Sequence, residues 1–356
     1  MELKKWGYTN EFEEYRNANQ LSGLEIGRVV AEHKERYQVR GESGEVDAEV
    51  TGNLRFTARN REDFPAVGDW VAFMRYDSDF GIIHHILPRY SMLIRPAVGK
   101  FGEIQIIATN IDFAFLIQAV DRDFNLNRLE RYLALCRSAC VEPIILLNKT
   151  DLIDAPGLAG MIGKISERIP EVQVLAISNE TEAGLDQLKS IIQPGKTYCM
   201  LGSSGVGKST LLNKLSGKEQ MKADVISNAT GKGRHTTSHR ELILLENGGL
   251  LIDNPGMREI GIADSGDGVE QTFISIIGFS KQCKYQNCTH INEPGCGVLG
   301  ALERGEIDVE AYENFMKMER EKAYFESSVA ERREKDRKFG KFFKNYQKDL
   351  KRLTGE

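Results

Sequence analysis

The 356-residue sequence predicts a multidomain α/β protein: an N-terminal β-barrel, then a mostly parallel sheet, then a helical region. Three observations predict it. Between Leu24 and Pro88, about five short strand-like runs are separated by turn residues. From Ile104, near-continuous apolar runs alternate with stretches of helical period, the pattern of strands covered on both faces. From about Asp308 the chain is charged and helical in period.

Composition narrows the class. Lys and Arg number 47 against 52 Asp and Glu, a formal charge of −5, so the whole molecule is no polycation and any nucleic-acid contact comes from a local patch. The start, Met1-Glu2-Leu3-Lys4-Lys5-Trp6-Gly7, lacks the apolar core of a signal peptide. No run reaches the ~18–20 apolar residues of a membrane span. The expected location is the cytoplasm. Of six cysteines, Cys136, Cys140 and Cys199 stand alone in apolar patterns, while the other three cluster with a histidine.

Residues 1 to about 20 are polar and read as a surface arm or short helix. The runs Ile26–Ala31, Tyr37–Val39, Val46–Val50 and Trp70–Phe73, with turns at Gly41–Gly44 and Pro65–Asp69, suit an OB-type barrel, a fold that often binds RNA. His84 and His85 at a strand end read as a surface pair. The α/β region has strands at Ile111–Ile117, Glu142–Leu147 and Val172–Ser178, with helices at Leu126–Ser138 and Gly184–Ile192. Ligands of such sheets bind at the carboxyl ends of the strands.

At one such end stands Gly202-Ser203-Ser204-Gly205-Val206-Gly207-Lys208-Ser209, a full phosphate loop. It follows the apolar run Thr197–Leu201 and precedes a helix that opens with Thr210. Its glycines let backbone N–H groups turn toward phosphates, and the helix N-terminus adds partial positive charge. Lys208 is suited to the β- and γ-phosphates and the Ser209 hydroxyl to Mg²⁺. A nucleoside triphosphate is therefore the expected ligand.

Asn148-Lys149-Thr150-Asp151 selects the base. Guanine presents a ring N–H and an amino group side by side, and an ionised Asp151 accepts from both; adenine would set a lone pair against the carboxylate. Lys149 would lay its stem against the base, Asn148 would tie this loop to the phosphate loop, and the loop at Ser178 would back the base. Asp253-Asn254-Pro255-Gly256 ends a hairpin as a second phosphate motif: Asp253 toward Mg²⁺ through water, the Gly256 N–H toward the γ-phosphate. Residues 224–240, containing Gly231–Thr237, read as a switch segment, with Thr236 or Thr237 closing the Mg²⁺ shell. Met257 stands where many GTPases carry a water-orienting glutamine, so slow intrinsic hydrolysis is expected. His235 either positions the attacking water or anchors its loop. The expected catalytic set is His235, Lys208, Thr236 and Thr237.

The order is permuted. The base loop precedes the phosphate loop, and Asp253 ends the module, as if the usual termini were joined and new ones opened. Behind it, Cys283-x4-Cys288-x-His290-x5-Cys296 supplies three thiolates and an imidazole, a closed set for structural zinc. Within 331–352, ten Lys or Arg stand against four Asp or Glu, interleaved with Phe339, Phe342, Phe343 and Tyr346, which suits RNA contact.

With a barrel in front and a Cys/His cluster behind the permuted motifs, residues 24–300 resemble the RsgA (YjeQ/YloQ) family. The resemblance implies a GTPase that binds the immature small (30S) ribosomal subunit and its rRNA, is stimulated by it, and acts late in its maturation beside other assembly factors. It also supports the four zinc ligands. Two positions depart from the family: Asn254 where Thr is usual and Asn179 where Ala is usual. Asn179 is expected to touch only the base-backing loop. The expected modules are 1–94 (arm and OB barrel), 95–262 (permuted GTPase) and 263–356 (zinc and basic helical tail), in a monomer with no membrane contact. A small-molecule kinase would need an acceptor pocket that no residues are left to build. An RNA-binding scaffold with incidental hydrolysis is the second rival.

Overall fold

The computed structural model describes residues 2–33, 36–97, 103–121, 123–217, 240–253 and 267–354. The chain opens with α1 (Glu2–Lys5) and α2 (Asn10–Ala18). The helical reading of this arm holds and most of its residues lie at the surface, but two aromatic side chains anchor it. Trp6 and Phe12 are buried, and the rings of Tyr8 and Phe12 lie 4.9 and 5.8 Å from that of Trp70. Two large rings bury enough apolar surface to seat an otherwise polar arm.

Five strands follow: β1 (Glu25–His33), β2 (Arg36–Gly41), β3 (Gly44–Val50), β4 (Trp70–Arg75) and β5 (Phe80–Ile86), with helix α3 (Gly52–Thr57) between β3 and β4. They run β1-β2-β3-β5-β4 and close through β1–β4, with β3 and β5 parallel. That is the OB-type barrel the strand spacing predicts. Alternation explains the inside: Val46 and Ala48 of β3 point inward with Tyr37, Val39 and Phe73 while their neighbours face water. Gly27 is required where β1 crosses this core, because a Cβ there would sit 2.5 Å from Val39 and 2.9 Å from Phe73. His85 Nε2 is 2.8 Å from the Tyr15 hydroxyl, and His84 is exposed.

A hairpin of β6 (Met92–Pro96) and β7 (Ile104–Thr109) leads to the α/β region. Its elements in order are β8 (Phe113–Ala119), α4 (Leu126–Ser138), β9 (Glu142–Asn148), α5 (Ala155–Arg168), β10 (Gln173–Ala176), α6 (Leu185–Ile191), β11 (Thr197–Leu201), α7 (Lys208–Ser216), β12 (Glu241–Leu244) and β13 (Leu250–Asp253). The sheet order is β10-β9-β8-β11-β13-β12, parallel but for β12. Helices cover both faces, so β8, β9 and β11 are apolar almost throughout. The outer strand β12 also pairs with β1, Ala31 opposite Glu241, so barrel and parallel sheet form one continuous surface of eleven strands. The C-terminal region holds α8 (Gly268–Thr272), α9 (Ile274–Ser280), α10 (Gly297–Glu303) and the long α11 (Val309–Thr354). Its core of Val269, Phe273, Ile276, Val298, Phe315 and Met318 reaches Ala134 on α4.

Arm, barrel and sheet meet at Arg28. Its guanidinium is buried and donates to the carbonyls of Trp6 (2.5 Å), Gly68 (3.1 Å) and Asn110 (2.9 Å). Burial pushes its pKa down, with Tyr90, Asp112 and Asp69 opposing. If Arg28 is removed, the Trp6 carbonyl loses its donor, at about 1–3 kcal/mol before relaxation, while Gly68 O keeps Asn110 Nδ2 (3.1 Å) and Asn110 O keeps the Tyr90 hydroxyl (2.7 Å). Arg28→Met is expected to lower the urea midpoint of unfolding and to expose the arm to protease near Trp6. An unchanged midpoint by circular dichroism with unchanged proteolysis would contradict this account.

Candidate active site and metal centre

The phosphate loop lies where its sequence context demands, between buried β11 and the start of α7. Gly205 and Gly207 hold φ of +86° and +98°, which favour glycine. Lys208 is buried and donates to Gly202 O (2.7 Å) and Ser203 O (2.5 Å). Burial pushes its pKa down to about 8, against the pull of Asp253 and Asp123. Asp253, at the end of β13, is pushed up to about 6 by burial, with Lys208 opposing. Its Oδ2 is buried and has no partner among the described residues. An orphaned carboxylate oxygen beside a phosphate loop fits a hard cation such as Mg²⁺, and so does the Ser209 hydroxyl at the head of α7.

The two loops are tied as expected. Asn148 Nδ2 donates to Val206 O at 2.7 Å, and its Oδ1 accepts from the backbone N–H groups of Lys149 (2.8 Å) and Asn179 (3.3 Å). Gly207 fits between them only because it lacks a side chain; a Cβ would lie 2.3 Å from Asn148 Nδ2 and 2.7 Å from Asn179 Nδ2. Asn179 needs a correction. Its side chain leaves the base-backing loop and donates to Gly207 O at 2.9 Å, adding a second tie to the phosphate loop that an alanine could not make. Thr150 joins the base loop to Ile177 O through its hydroxyl (3.0 Å) and N–H (3.2 Å). The buried Ser178 hydroxyl donates to Asp151 Oδ1 and accepts from Thr181 N–H, which orients the carboxylate. Lys149 sits at φ +64° with Nζ 2.9 Å from Asp121.

The structure thus brings together Asn148, Lys149, Thr150, Asp151, Ser178, the loop Gly202–Ser209 with Thr210, and Asp253. His235, Thr236, Thr237, Asn254, Gly256 and Met257 lie outside the described residues. Sequence reasoning missed the turn after β8. There Asp121 meets Lys149, and Asp123 with Arg128 meets Ser203. The only signal was two acidic residues just past a strand end, which are common in any turn.

The cluster behind the sheet has the geometry of a four-coordinate site. Ligand atoms of Cys283, Cys288, His290 and Cys296 lie within 4.8 Å of one another. Cys283 Sγ is 3.8 Å from Cys296 Sγ and 3.6 Å from His290 Nδ1, which is 3.4 Å from Cys296 Sγ. A tetrahedron with zinc bonds of ~2.3 Å to sulfur and ~2.0 Å to nitrogen has edges of ~3.5–3.8 Å. Backbone N–H groups of Gly297 (3.3 Å) and Leu299 (3.4 Å) donate to Cys283 and Cys296, which favours thiolate. Tyr312 on α11 donates to His290 O at 2.7 Å and seats the knuckle on the long helix.

A parallel sheet with a phosphate loop on its central strand and a guanine-type Asn-Lys-x-Asp loop earlier in the chain defines a circularly permuted phosphate-loop GTPase. Comparison with known proteins agrees. The profile described as RsgA GTPase matches residues 86–263. The Bacteroides thetaiotaomicron protein named small ribosomal subunit biogenesis GTPase RsgA 1 is 37% identical over 348 residues, 97% of each chain. The Opitutus terrae protein named small ribosomal subunit biogenesis GTPase RsgA is 41% identical over 310 residues, 83% of each. Among solved structures, YjeQ from Thermotoga maritima aligns at a TM-score of 0.61 and 28% identity, covering 84% of this chain and 98% of its own. YloQ, described as a circularly permuted GTPase, aligns at 0.59 and 27%, covering 87% and 96%. The chain belongs to the RsgA GTPase family and is a GTP hydrolase.

The metal centre makes a direct prediction. Cys288→Ser removes one of four donors from a knuckle with little core of its own, so zinc content by atomic absorption should fall well below that of the wild type. Limited proteolysis should then cut first within 283–296. Equal zinc content in the two proteins would refute the ligand set.

Proposed function

We propose that this chain is a GTP-hydrolysing assembly factor of the small (30S) ribosomal subunit, acting late in maturation and slow until the subunit stimulates it. The observation that carries the reading is the Asn148 side chain that ties the base loop to the phosphate loop, in a family whose relatives bear that name. In this reading the backbone N–H groups of 203–209, with Thr210 behind them, cradle the phosphates, and Lys208 neutralises the β–γ bridge. Asp151 reads the guanine edge, Lys149 supports the base face, and Ser178 holds Asp151 in place. Ser209 and Asp253 hold Mg²⁺, which supplies charge neutralisation at the phosphates when bound. Thr236 or Thr237 completes its shell, the Gly256 N–H meets the γ-phosphate, and His235 positions the attacking water in place of the glutamine that Met257 displaces.

The modules divide this work at 1–94, 95–262 and 263–356. Barrel and basic tail contact rRNA, one zinc ion per chain held by Cys283, Cys288, His290 and Cys296 is structural, and the monomer works in the cytoplasm beside other assembly factors. No helix among the described residues is long and apolar enough to cross a membrane.

The deciding measurement is GTP turnover with and without purified small subunits. Stimulation of at least tenfold, lost on His235→Ala while GTP affinity stays within about threefold, supports the factor and the role of His235. Turnover that instead needs a metabolite acceptor would replace this reading with a kinase. Base recognition has its own test. Asp151→Asn removes one acceptor and adds a donor, so preference should move from GTP toward xanthosine triphosphate by a factor of about 10²–10³. Undiminished GTP binding by the variant would contradict it.

A further inference from the structure

Helix α4 touches the phosphate loop at one end and the C-terminal region along the rest of its length. At its first turn, Ser203 Oγ donates to Asp123 Oδ2 (2.5 Å) and accepts from Arg128 Nη1 (2.8 Å), and Arg128 Nη1 is itself 2.7 Å from Asp123 Oδ1. Ser203 is the residue whose carbonyl receives Lys208. The start of α4 is fixed in turn. The Asn125 side chain caps it by accepting from Arg128 N–H at 2.9 Å, and Gln118 of β8 holds the Asn125 backbone at both its N–H and its carbonyl, each at 2.8 Å.

Less than a turn further on, Arg131 pairs through both Nη atoms with Glu321 of α11. Buried Glu130 accepts from Asn314 of α11 (2.6 Å) and from Arg168 of α5 (2.7 and 3.0 Å). At the far end, Gly268 of α8 lies so close that a Cβ would meet Ala134 O at 2.2 Å. Arg128 and Arg131 are three residues apart on a rigid rod, ~4.5 Å along its axis. A tilt of α4 that moves one moves the other.

We propose that Asp123 and Arg128 are positioning residues of the phosphate loop, and that α4 transmits the seating of the C-terminal helix to them. Neither side chain is assigned contact with the reacting atoms. Their role is to hold Ser203, and with it the carbonyl that aims Lys208, so the effect falls on the geometry of phosphoryl transfer. Misplacement of a catalytic group by ~1 Å costs on the order of 10²-fold in rate, so a small shift of this brace suffices to grade turnover. The bland reading is a surface ion pair of negligible worth. Against it stands the shared hydroxyl of Ser203, which both charged groups reach. The inference rests on the GTPase reading of the loop.

The test uses the full chain with Mg²⁺ and GTP, and reads kcat, KM and amide hydrogen exchange of 203–207 without nucleotide. Arg128→Gln and Asp123→Asn should lower kcat about tenfold with KM within threefold, and should speed exchange of the loop amides. Arg128→Lys, which keeps the charge but not the fork, should restore part of kcat. Glu321→Gln, far from the loop, should change kcat and loop exchange in the wild-type background and lose both effects in the Arg128→Gln background. Unchanged kcat and exchange in Arg128→Gln would overturn the positioning role, and additive effects of Glu321→Gln would overturn the transmission. If the wild-type chain turned over no GTP, the functional reading would fall, and loop exchange alone would decide the brace.

Discussion

The site depends on one amide. Asn148 spends its donor on the phosphate loop and its acceptor on two backbone N–H groups, one in the base loop and one in the base-backing loop. Three loops from three strands are thereby held by a single buried side chain. None of those strands need be near another in sequence for this to work, because the parallel sheet brings their carboxyl ends to one edge. The permutation of the chain therefore costs the nucleotide site nothing. What it requires is a glycine at 207, where two amide groups close over the backbone with no room for a Cβ. Asn179 then thickens the clasp with a second donor to the loop carbonyl.

Around this site the architecture is stiffer than three modules on linkers. The outer sheet strand pairs with the first barrel strand, and Arg28 gathers carbonyls from arm, barrel and the approach to β8. A buried guanidinium is costly to desolvate, and here three carbonyl acceptors, with Tyr90, Asp112 and Asp69 nearby, offset that cost. Arm, barrel and sheet consequently stand or fall together. A movement of the barrel against the nucleotide site would have to break either the ladder at Ala31 and Glu241 or this hub.

The fold was legible in the sequence wherever period and apolar run length carried the signal. The helix at Leu126–Ser138 and the strand at Thr197–Leu201 match residue for residue, because both elements bury a continuous face. The barrel followed from alternation. The anchoring of the arm was not legible because two aromatic residues decide it against a polar background, and composition averages over such anchors. In the site, motif residues were legible because phosphate and guanine recognition need particular groups at particular spacings. Asn179 was not, since its partner is a carbonyl on a loop distant in sequence. The same holds for Asp123, Arg128 and Arg28, whose contacts lie 80, 75 and up to 82 residues away. Polar side chains whose partners lie far away in sequence leave no periodic trace.

Permutation also decides where the remaining domain can act. In this chain β13 ends at Asp253, and the next described helix, α8, packs its Gly268 against the far end of α4. That helix begins beside Ser203. The C-terminal region is thus joined to the nucleotide site twice, once through the chain beyond Asp253 and once through space along α4. The packed contact along α4 acts as a lever, because a helix moves as one rod. Docking of α11 on Glu130 and Arg131 holds α4 within a turn of Arg128, so a ligand that reseats the C-terminal helix has a physical route to the phosphate loop.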